Sequence, residues 1–424
     1  MKVRYIYSAC VVIETLDVVL CCDPWFTPGA YDGSWYQYPP LEDDPVNVIG
    51  PVDHIYISHI HPDHYDVRFL KRYLARYPET GLFIGKTEPP FLLKRMQTDG
   101  FKPKVLTEAK FGQTEVHVIS NGAYDEIENI DTALVVRQDS LSVVNINDNP
   151  FDPKQVEKIL SCLPSGNRPT LALLPYNGAG PFPQTYEFPS ESELAKAAER
   201  KKKQFLDLYT RYIEALKPLR AMPFAGKYYL GGPLSSLNEI RGIADATEVL
   251  SRHGDISFVL ADGGKAYFEL DDLSVHGGTR VRAYDYQDIR HYLAGMSFKG
   301  YDYEKEIVPL EGRSLPLLPL IQKAYVNAIH RRAVEEPIWI CIKPSTWDRY
   351  LTFDASSDSG VKVMEDVSSL NPRHEIFIDQ RYLFGLMTHL YHWDNAAIGS
   401  HFRVRRVPDI FRRDLHAFLC RLHV

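Results

Sequence analysis

The stretch Ser58-His59-Ile60-His61-Pro62-Asp63-His64 decides the fold of this 424-residue chain. It directly follows the apolar segment His54–Ser58, which is predicted to be a strand, so the stretch lies in a loop at the edge of a sheet. Three imidazoles and one carboxylate are costly to bury together unless coordination or hydrogen bonds offset the lost hydration. The pattern H-x-H-x-D-H therefore predicts a metal site. His59 and His61 face one ion, and Asp63 and His64 lie beside it, where they can hold a second.

Asp148 is a further metal-ligand candidate, because it follows the predicted strand Leu141–Ile146 and precedes Pro150. A carboxylate at this strand end can bridge two ions, although Asn and Asp are also common in turns for backbone reasons alone. Imidazole and carboxylate donors suit zinc or iron, and manganese where oxygen donors predominate. The expected cofactor is therefore one or two divalent ions. Asp63 is also a candidate catalytic residue that orients a water molecule or carries its proton.

The surrounding sequence predicts short strands first and then alternating helices and strands. A long helix is expected over 191–216, because Ser190 and Glu193 form an S-x-x-E capping box and apolar residues follow at helical spacing. Further helices are expected over 237–252 and from Asp409 to Leu422. This order fits an α/β (α+β) fold in which helices enclose two sheets. The predicted domains are a core over 1–235, a mixed α/β continuation over 236–335, and a C-terminal α/β domain over 336–424.

Composition excludes several kinds of partner. The formal net charge of -7 argues against nucleic acid and acidic membranes, because phosphate binding needs clustered lysine and arginine. No apolar run approaches the roughly 20 residues that span a bilayer. The six cysteines are scattered and form no C-x-x-C pair. We therefore expect a cytoplasmic protein that acts on a small molecule; its oligomeric state is left open.

The motif, with Asp23-Pro24 at an earlier strand end and Asp148 at a later one, resembles the metallo-β-lactamase superfamily. That resemblance implies an αββα sandwich with one or two metal ions at the sheet edges, here with a C-terminal α/β extension. The chain also resembles, nearly end to end, the hydrolase-like part of CMP-N-acetylneuraminate hydroxylases. The segments that carry this closer resemblance are 145–148, 223–226, 392–401 and 406–408.

The sequence departs from these families at several positions. The Rieske domain of the hydroxylases needs C-x-H and C-x-x-H; Cys420 and His423 match the second pattern, but no C-x-H is present. Electron delivery from within the chain is therefore not expected. Superfamily members also supply two later histidines, but the region 119–132 has none and Ala225 occupies the other position. The resemblance implies one of two outcomes. Either oxygen ligands from the region 119–132 and C-terminal residues that fold back replace the two histidines, or the site holds a single ion. The candidates are Asn121, Asp125, Glu126, Glu128, His389, His392, Asp394 and His401; satisfied polar residues are the alternative for the C-terminal ones.

Four other residues are candidates for roles around the ion. Asp23 is expected to orient a metal-bound histidine from behind, with a turn cap as the alternative. Asn177 lies in a loop rich in turn formers that could shape a substrate pocket. Lys227 and Tyr228 follow a late strand and could bind an anionic group. An ordinary loop and an ordinary surface turn are the alternatives for these last three.

The leading functional prediction is metal-dependent hydrolysis by a metal-bound hydroxide, because a bound cation lowers the pKa of water towards about 7 and polarises a carbonyl or phosphoryl oxygen. The closer resemblance implies an anionic substrate linked to a sugar or nucleotide. Two alternatives remain open at this point. One is an iron-dependent oxygenase component with a separate electron donor, and the other is a binding protein with a degenerate site.

Overall fold

The computed structural model describes residues 1–122, 130–164, 168–296, 298–308, 314–332 and 334–424. The first of its sheets has eight strands and combines antiparallel pairing on one side with parallel pairing on the other. In spatial order its strands are Ser274–His276, Tyr267–Glu269, Lys2–Tyr7, Cys10–Glu14, Val19–Cys22, His54–Ile57, Gly81–Gly85 and Lys104–Leu106. The predicted N-terminal strands are confirmed.

The second sheet has six strands and faces the first. Its spatial order is Arg220–Phe224, Leu171–Pro175, Leu141–Asn145, Thr132–Gln138, Thr114–Ser120 and Glu108–Phe111. The first three strands in that order run parallel, and the rest pair antiparallel. A separate two-stranded ribbon pairs Trp35–Tyr36 with Tyr229–Leu230.

Three apolar layers show that helices enclose these two sheets. Residues from both sheets, such as Val11, Phe83, Val136 and Leu173, form one buried core between them. The outer face of the first sheet packs against the helices Val67–Arg76 and Phe91–Thr98, and the outer face of the second against Pro153–Ser161 and Glu191–Leu216. Alternating side chains on each strand point into different layers, which is why both faces are apolar. The predicted αββα sandwich is confirmed.

The long helix Glu191–Leu216 begins where the sequence predicts, because the Ser190 hydroxyl accepts a hydrogen bond from the Glu193 N–H at 3.2 Å. Asp66 caps the helix after the histidine cluster in the same way, through the Phe69 N–H at 2.9 Å. The remaining helical segments before residue 310 are short. They are Ala30–Gly33, Pro45–Ile49, Leu250–His253, Tyr286–Gly295, Asp302–Glu306 and the 3-10 segments Gly232–Ile240 and Ala246–Val249.

The C-terminal part builds its own core around a five-stranded sheet. The strands, in spatial order, are Lys362–Met364, Tyr350–Asp354, Trp339–Pro344, Arg373–Ile378 and Phe402–Val407. The helices of this part are Leu317–Arg332, Gln380–Met387, Trp393–Ile398 and Arg413–Leu419. The domain boundaries near 235 and 335 stay predictions, although the strands Tyr267–Glu269 and Ser274–His276 belong to the first sheet.

Two predicted helices are wrong. The region 237–252 is not one helix: it ends one 3-10 segment, holds a second and runs into the short helix Leu250–His253, because Asp245 caps a new turn through the Thr247 N–H at 2.9 Å. Asp409 does not start the last helix; it pairs with Arg406 at 2.6 Å, and the helix begins at Arg413. Within the described ranges, no helix has the length and apolar composition needed to cross a lipid bilayer.

Candidate metal centre

The histidine cluster, residues 59–64, lies where parallel strands of the first sheet end. The strand His54–Ile57 leads directly into it, and the adjacent parallel strand Val19–Cys22 ends at Asp23. The carboxyl ends of parallel strands meet at one edge of a sheet, so Asp23 and the cluster are neighbours. Asp148 reaches the same place from the end of a strand in the second sheet.

The loop of the cluster is held by short backbone contacts. The His61 carbonyl accepts hydrogen bonds from the His64 N–H at 3.0 Å and from the Tyr65 N–H at 2.8 Å. The Ser58 carbonyl accepts one from the Thr132 hydroxyl at 2.8 Å, which ties the loop to the second sheet. These bonds turn the side chains of alternate residues towards one point.

His59 and His61 form the first pair of candidate ligands. His59 Nε2 lies 2.8 Å from His61 Nδ1, and His59 is buried. His59, His61 and Asp148 each offer a ligand atom within 4.8 Å of the others. The Asp131 and Asp148 carboxylates each lie 3.8 Å from His59 Nδ1. Two imidazoles facing carboxylate oxygens form a set that suits a divalent transition metal.

Asp63 and His64 form the second pair. His64 Nε2 lies 3.3 Å from Asp63 Oδ2 and 3.5 Å from Asp148 Oδ2. Asp148 therefore directs one oxygen towards His59 and the other towards His64. A carboxylate placed between two groups of donors is the arrangement that bridges two ions.

The buried polar atoms of the centre fit a bound cation. His64 Nε2 and Asp148 Oδ1 are both buried and have no hydrogen-bond partner. Both atoms are therefore open to a cation that lies between them and the neighbouring donors. Among the described residues, no lysine or arginine lies within 4.0 Å of Asp63, Asp131 or Asp148. The donor set therefore fits one or two divalent metal ions.

The electrostatics of the protein without metal show the same lack of positive charge. Burial and the neighbouring Asp148 raise the pKa of Asp131 to about 7. Burial lowers the pKa of His64, but Asp63 and Asp148 outweigh it and hold that pKa well above its usual value. Burial and the nearby His64 hold the pKa of His59 well below its usual range. Burial acts to raise the pKa of Asp63 and of Asp148, but the neighbouring imidazoles outweigh it and lower both, so the protons are held on Asp131 and His64.

Asp23 contacts His64 from behind. Its carboxylate accepts hydrogen bonds from the Ser58 N–H and the Ser58 hydroxyl, both at 2.7 Å, and from the Asn147 amide. His64 Nδ1 lies 3.1 Å from the same carboxylate, so the ring presents Nε2 to the centre. This is the geometry expected of a residue that orients a metal-bound histidine.

Asp131 is a site residue that sequence reasoning missed. It lies in the region where a superfamily histidine was expected, directly before the strand Thr132–Gln138. Its backbone carbonyl accepts a hydrogen bond from the Asn121 N–H at 2.9 Å. The one available signal was its position as an acidic residue at the start of an apolar strand.

Three of the predicted substitute ligands, Asn121, His392 and His401, have hydrogen-bond partners outside the histidine cluster. The Asn121 amide donates to the Pro150 carbonyl at 2.8 Å and to Gln155 at 3.0 Å. His392 caps a helix by accepting from the Asp394 N–H at 3.2 Å. His401 Nε2 donates to the Tyr31 carbonyl at 2.8 Å, in a pocket of tyrosine rings. Each has a local structural partner; Asp125, Glu126 and Glu128 lie outside the described residues.

The residues expected around a substrate divide into two groups. The Asn177 amide donates to the Gly226 carbonyl at 3.0 Å and the Ala244 carbonyl at 2.7 Å, so it holds two loops together. Lys227 is buried and pairs with Asp262 at 2.6 Å. Their side chains therefore have partners within the protein, so neither offers a free group for a substrate.

Tyr228 belongs to an aromatic wall beside the centre. Its ring stacks on Trp35 with centroids 3.3 Å apart, and Trp35 packs against Tyr31 at 4.4 Å. The Tyr31 hydroxyl donates to Asp63 Oδ1 at 2.6 Å. The wall thus touches the second pair of candidate ligands and holds the Asp63 carboxylate in place.

The C-terminal part of the chain contributes Asp394 to the centre. Its carboxylate accepts a hydrogen bond from His61 Nε2 at 2.9 Å. Of the C-terminal residues expected to fold back, Asp394 is therefore the one that contacts the histidine cluster. Burial lowers the pKa of His61, but Asp394 outweighs it and raises that pKa to about 9.

Comparison with known proteins identifies two kinds of relatives by sequence. A Rieske 2Fe-2S iron-sulfur protein named in Mycolicibacterium smegmatis is 26% identical over 286 residues, which are 65% of this chain and 51% of that protein. The hydroxylase of cytidine monophosphate-N-acetylneuraminic acid from Macaca mulatta is 25% identical over 55% of this chain and 39% of its own length. The chain is similar to these hydroxylases. It spans about half the length of the relatives it matches, or less.

No protein-family profile matches the chain. Among solved structures, the metallo hydrolase Igni18 from Ignicoccus hospitalis is 17% identical with a TM-score of 0.42, over 63% of this chain and 98% of that one. CmlA, a diiron β-hydroxylase from Streptomyces venezuelae, is 16% identical with a TM-score of 0.40, over 60% of this chain and 51% of CmlA. The paired sheets, their outer helices and the strand-end cluster give this chain the metallo-β-lactamase type of fold.

Proposed function

We propose that this chain is a dinuclear iron enzyme that hydroxylates a small molecule with dioxygen and electrons from a separate donor protein. The observation that carries the proposal is the position of Asp148, whose two oxygens face His59 and His64. Carboxylate donors at Asp63, Asp131 and Asp148 outnumber what a nitrogen-rich zinc site would need. Imidazole and carboxylate donors together suit non-haem iron.

The ligand roles follow from the distances. His59, His61 and Asp148 would hold one ion, and Asp63 and His64 would hold the other; Asp131 would lie beside the first, 3.8 Å from His59 Nδ1. When bound, the iron pair supplies the redox chemistry that activates dioxygen. The similarity to proteins named hydroxylases supports this choice of reaction.

The protein's own groups would hold the ligands and exclude water. Asp23 and Ser58 fix the ring of His64, and the Tyr31 hydroxyl fixes Asp63. The stacked rings of Trp35 and Tyr228 are buried and pack behind Tyr31, which keeps its hydroxyl on Asp63. We propose an anionic sugar-linked or nucleotide-linked substrate, because the similar hydroxylases are named for such a compound.

Hydrolysis is the second candidate, favoured by the carboxylate of Asp63 beside the proposed ions. A carboxylate there can orient a water molecule or accept its proton. The same residues would bind the metal in both reactions. The metal that supports turnover, and the requirement for dioxygen, separate the two candidates.

The test starts from protein loaded anaerobically with ferrous ion. We expect up to two iron ions per chain, and oxygen uptake that depends on reductant and on a sugar nucleotide such as a CMP-sugar. Turnover with zinc, without dioxygen or reductant, would instead identify a hydrolase. Failure to bind any divalent ion would contradict both.

The variant His59→Ala should lose bound iron and turnover together, because it removes a ligand from the first pair. The fold should persist, as measured by circular dichroism, because the ring lies at a loop and not in an apolar core. His276→Ala is the matched control: this histidine is exposed and stacks on Tyr267 at the far edge of the first sheet. Full iron content in His59→Ala would contradict the assigned ligand set.

A further inference from the structure

The two ring nitrogens of His61 face different parts of the molecule. Nδ1 lies 2.8 Å from His59 Nε2, inside the proposed metal centre. Nε2 lies 2.9 Å from the carboxylate of Asp394, which belongs to the C-terminal domain 333 residues away. A neutral imidazole carries one N–H, so a hydrogen bond from Nε2 leaves the Nδ1 lone pair for a metal ion.

Asp394 is itself held in place from two sides. Its second oxygen accepts a hydrogen bond from His416 Nε2 at 3.0 Å, on the helix Arg413–Leu419. Its backbone N–H donates to His392 Nδ1 at 3.2 Å, which fixes the start of the helix Trp393–Ile398. The carboxylate therefore has a defined orientation and is directed at His61.

The segment that carries Asp394 is docked firmly on the N-terminal core. Trp35 Nε1 donates to the Ile398 carbonyl at 3.3 Å, and His401 Nε2 donates to the Tyr31 carbonyl at 2.8 Å. The Tyr382 hydroxyl also donates to Asp32. These contacts place the helix beside the histidine cluster.

We propose that Asp394 is a positioning residue of the metal centre, which fixes the tautomer and ring orientation of His61 and makes the C-terminal domain a structural part of the site. The inference rests on the proposed metal binding. Carboxylates that accept the second N–H of a ligating histidine raise its basicity and hold its ring in the coordinating position. His416 supports Asp394 and acts one step further from the ion.

Metal affinity tests this role directly. Cobalt(II) is the probe, titrated in competition with a chromophoric chelator, because its visible spectrum reports the ligand geometry. Asp394→Ala should weaken cobalt binding by about 10- to 100-fold and change that spectrum. Asp394→Asn should retain more affinity than Asp394→Ala, because the amide oxygen can still accept from Nε2. His416→Gln should have a smaller effect than either.

Asp409→Asn is the matched control, because Asp409 is an exposed carboxylate of the same domain that pairs with Arg406. It should bind cobalt like the wild type. Equal affinity of the wild type and Asp394→Ala would overturn the positioning role and leave the proposed function intact. A wild type that binds no ion would overturn both. If Asp394→Ala does not fold, equal affinities of the wild type, Asp394→Asn and His416→Gln overturn the positioning role.

Discussion

Two buried groups of charged residues in this protein are built in opposite ways. The metal centre combines imidazoles with carboxylates and has no lysine or arginine beside them among the described residues. The second group, which we call the ion-pair cluster, consists of Lys227, Asp245, Asp262 and Arg280. It lies in the loops around the late strand of the second sheet and contains as many cations as carboxylates.

Every carboxylate of the ion-pair cluster has a cation from the chain itself. Lys227 Nζ lies 2.6 Å from Asp262, and Arg280 Nη2 lies 2.8 Å from Asp245. The Tyr284 hydroxyl also donates to Asp262. Burial lowers the pKa of Lys227 to about 8, although Asp262 acts against this shift. The buried charges here are compensated before any ligand arrives.

The comparison separates structural charge from functional charge. A buried ion must be paired or lose its charge, since an isolated ion in a low-dielectric interior is unstable. The ion-pair cluster meets this need internally. The metal centre meets it only by taking up protons or a cation from solution, which is the property of a binding site. Burial alone does not distinguish the two groups, but the presence of a partner does.

The largest effect should come from breaking a pair in the ion-pair cluster. Lys227→Met removes the closer of the two cations of Asp262 and leaves only Arg280 Nη1, at 3.9 Å, so it should lower the free energy of unfolding by about 3 kcal/mol. Urea denaturation of the metal-free protein measures this loss. Metal affinity should not change, because the metal centre does not use this lysine.

Lys265→Met is the matched control for that variant. Lys265 is 75% exposed and pairs with an exposed glutamate, so its loss should change stability by less than about 0.5 kcal/mol. The double variant Lys227→Met/Asp262→Leu should recover part of the loss, because no uncompensated charge remains. A loss under about 1 kcal/mol in Lys227→Met would show that the ion-pair cluster does not depend on its internal pairing.

A smaller effect on the free energy of unfolding should come from adding a divalent cation to the metal centre. Ferrous ion at 100 times its dissociation constant should raise the free energy of unfolding by about 2.7 kcal/mol, and a chelator should reverse the change. In Lys227→Met, ferrous ion should raise the free energy of unfolding by the same amount, although the metal-free variant is less stable. In His59→Ala the ion should raise it little. Thermal denaturation with and without the ion measures the increments. An equal increment in His59→Ala would place the stabilising ion elsewhere.

The sequence allowed the core of the site to be predicted because its main ligands are local. His59, His61, Asp63 and His64 lie within six residues after a strand, so their meeting point follows from the strand alone. The sandwich itself follows from alternating apolar strands and from caps such as Ser190, which act within a few residues.

Asp131 and Asp394 could not be predicted as neighbours of the cluster, because tertiary packing brings them there. Asp131 approaches His59 across two facing sheets, and Asp394 approaches His61 from another domain. The predicted start of the last helix was wrong for a related reason. Asp409 has the composition of a cap, but its carboxylate is taken by Arg406. Local patterns do not show which of two available partners a polar side chain will choose.

The smallest effect, of opposite sign, should come from removing one negative charge from the metal-free centre. At pH 8, above its pKa of about 7, Asp131 is ionised beside Asp148. Asp131→Asn should therefore raise the free energy of unfolding in chelator by about 1 kcal/mol, the scale of one pKa unit, while weakening metal affinity. Most substitutions at buried polar positions destabilise a protein, so an increase would mark a site that holds excess charge for a ligand.

Asp139→Asn is the control at the other end of the same strand, in an exposed turn, and should leave both quantities unchanged. If Asp131→Asn lowered stability as Lys227→Met is expected to, the centre would be compensated internally, and its contrast with the ion-pair cluster would disappear.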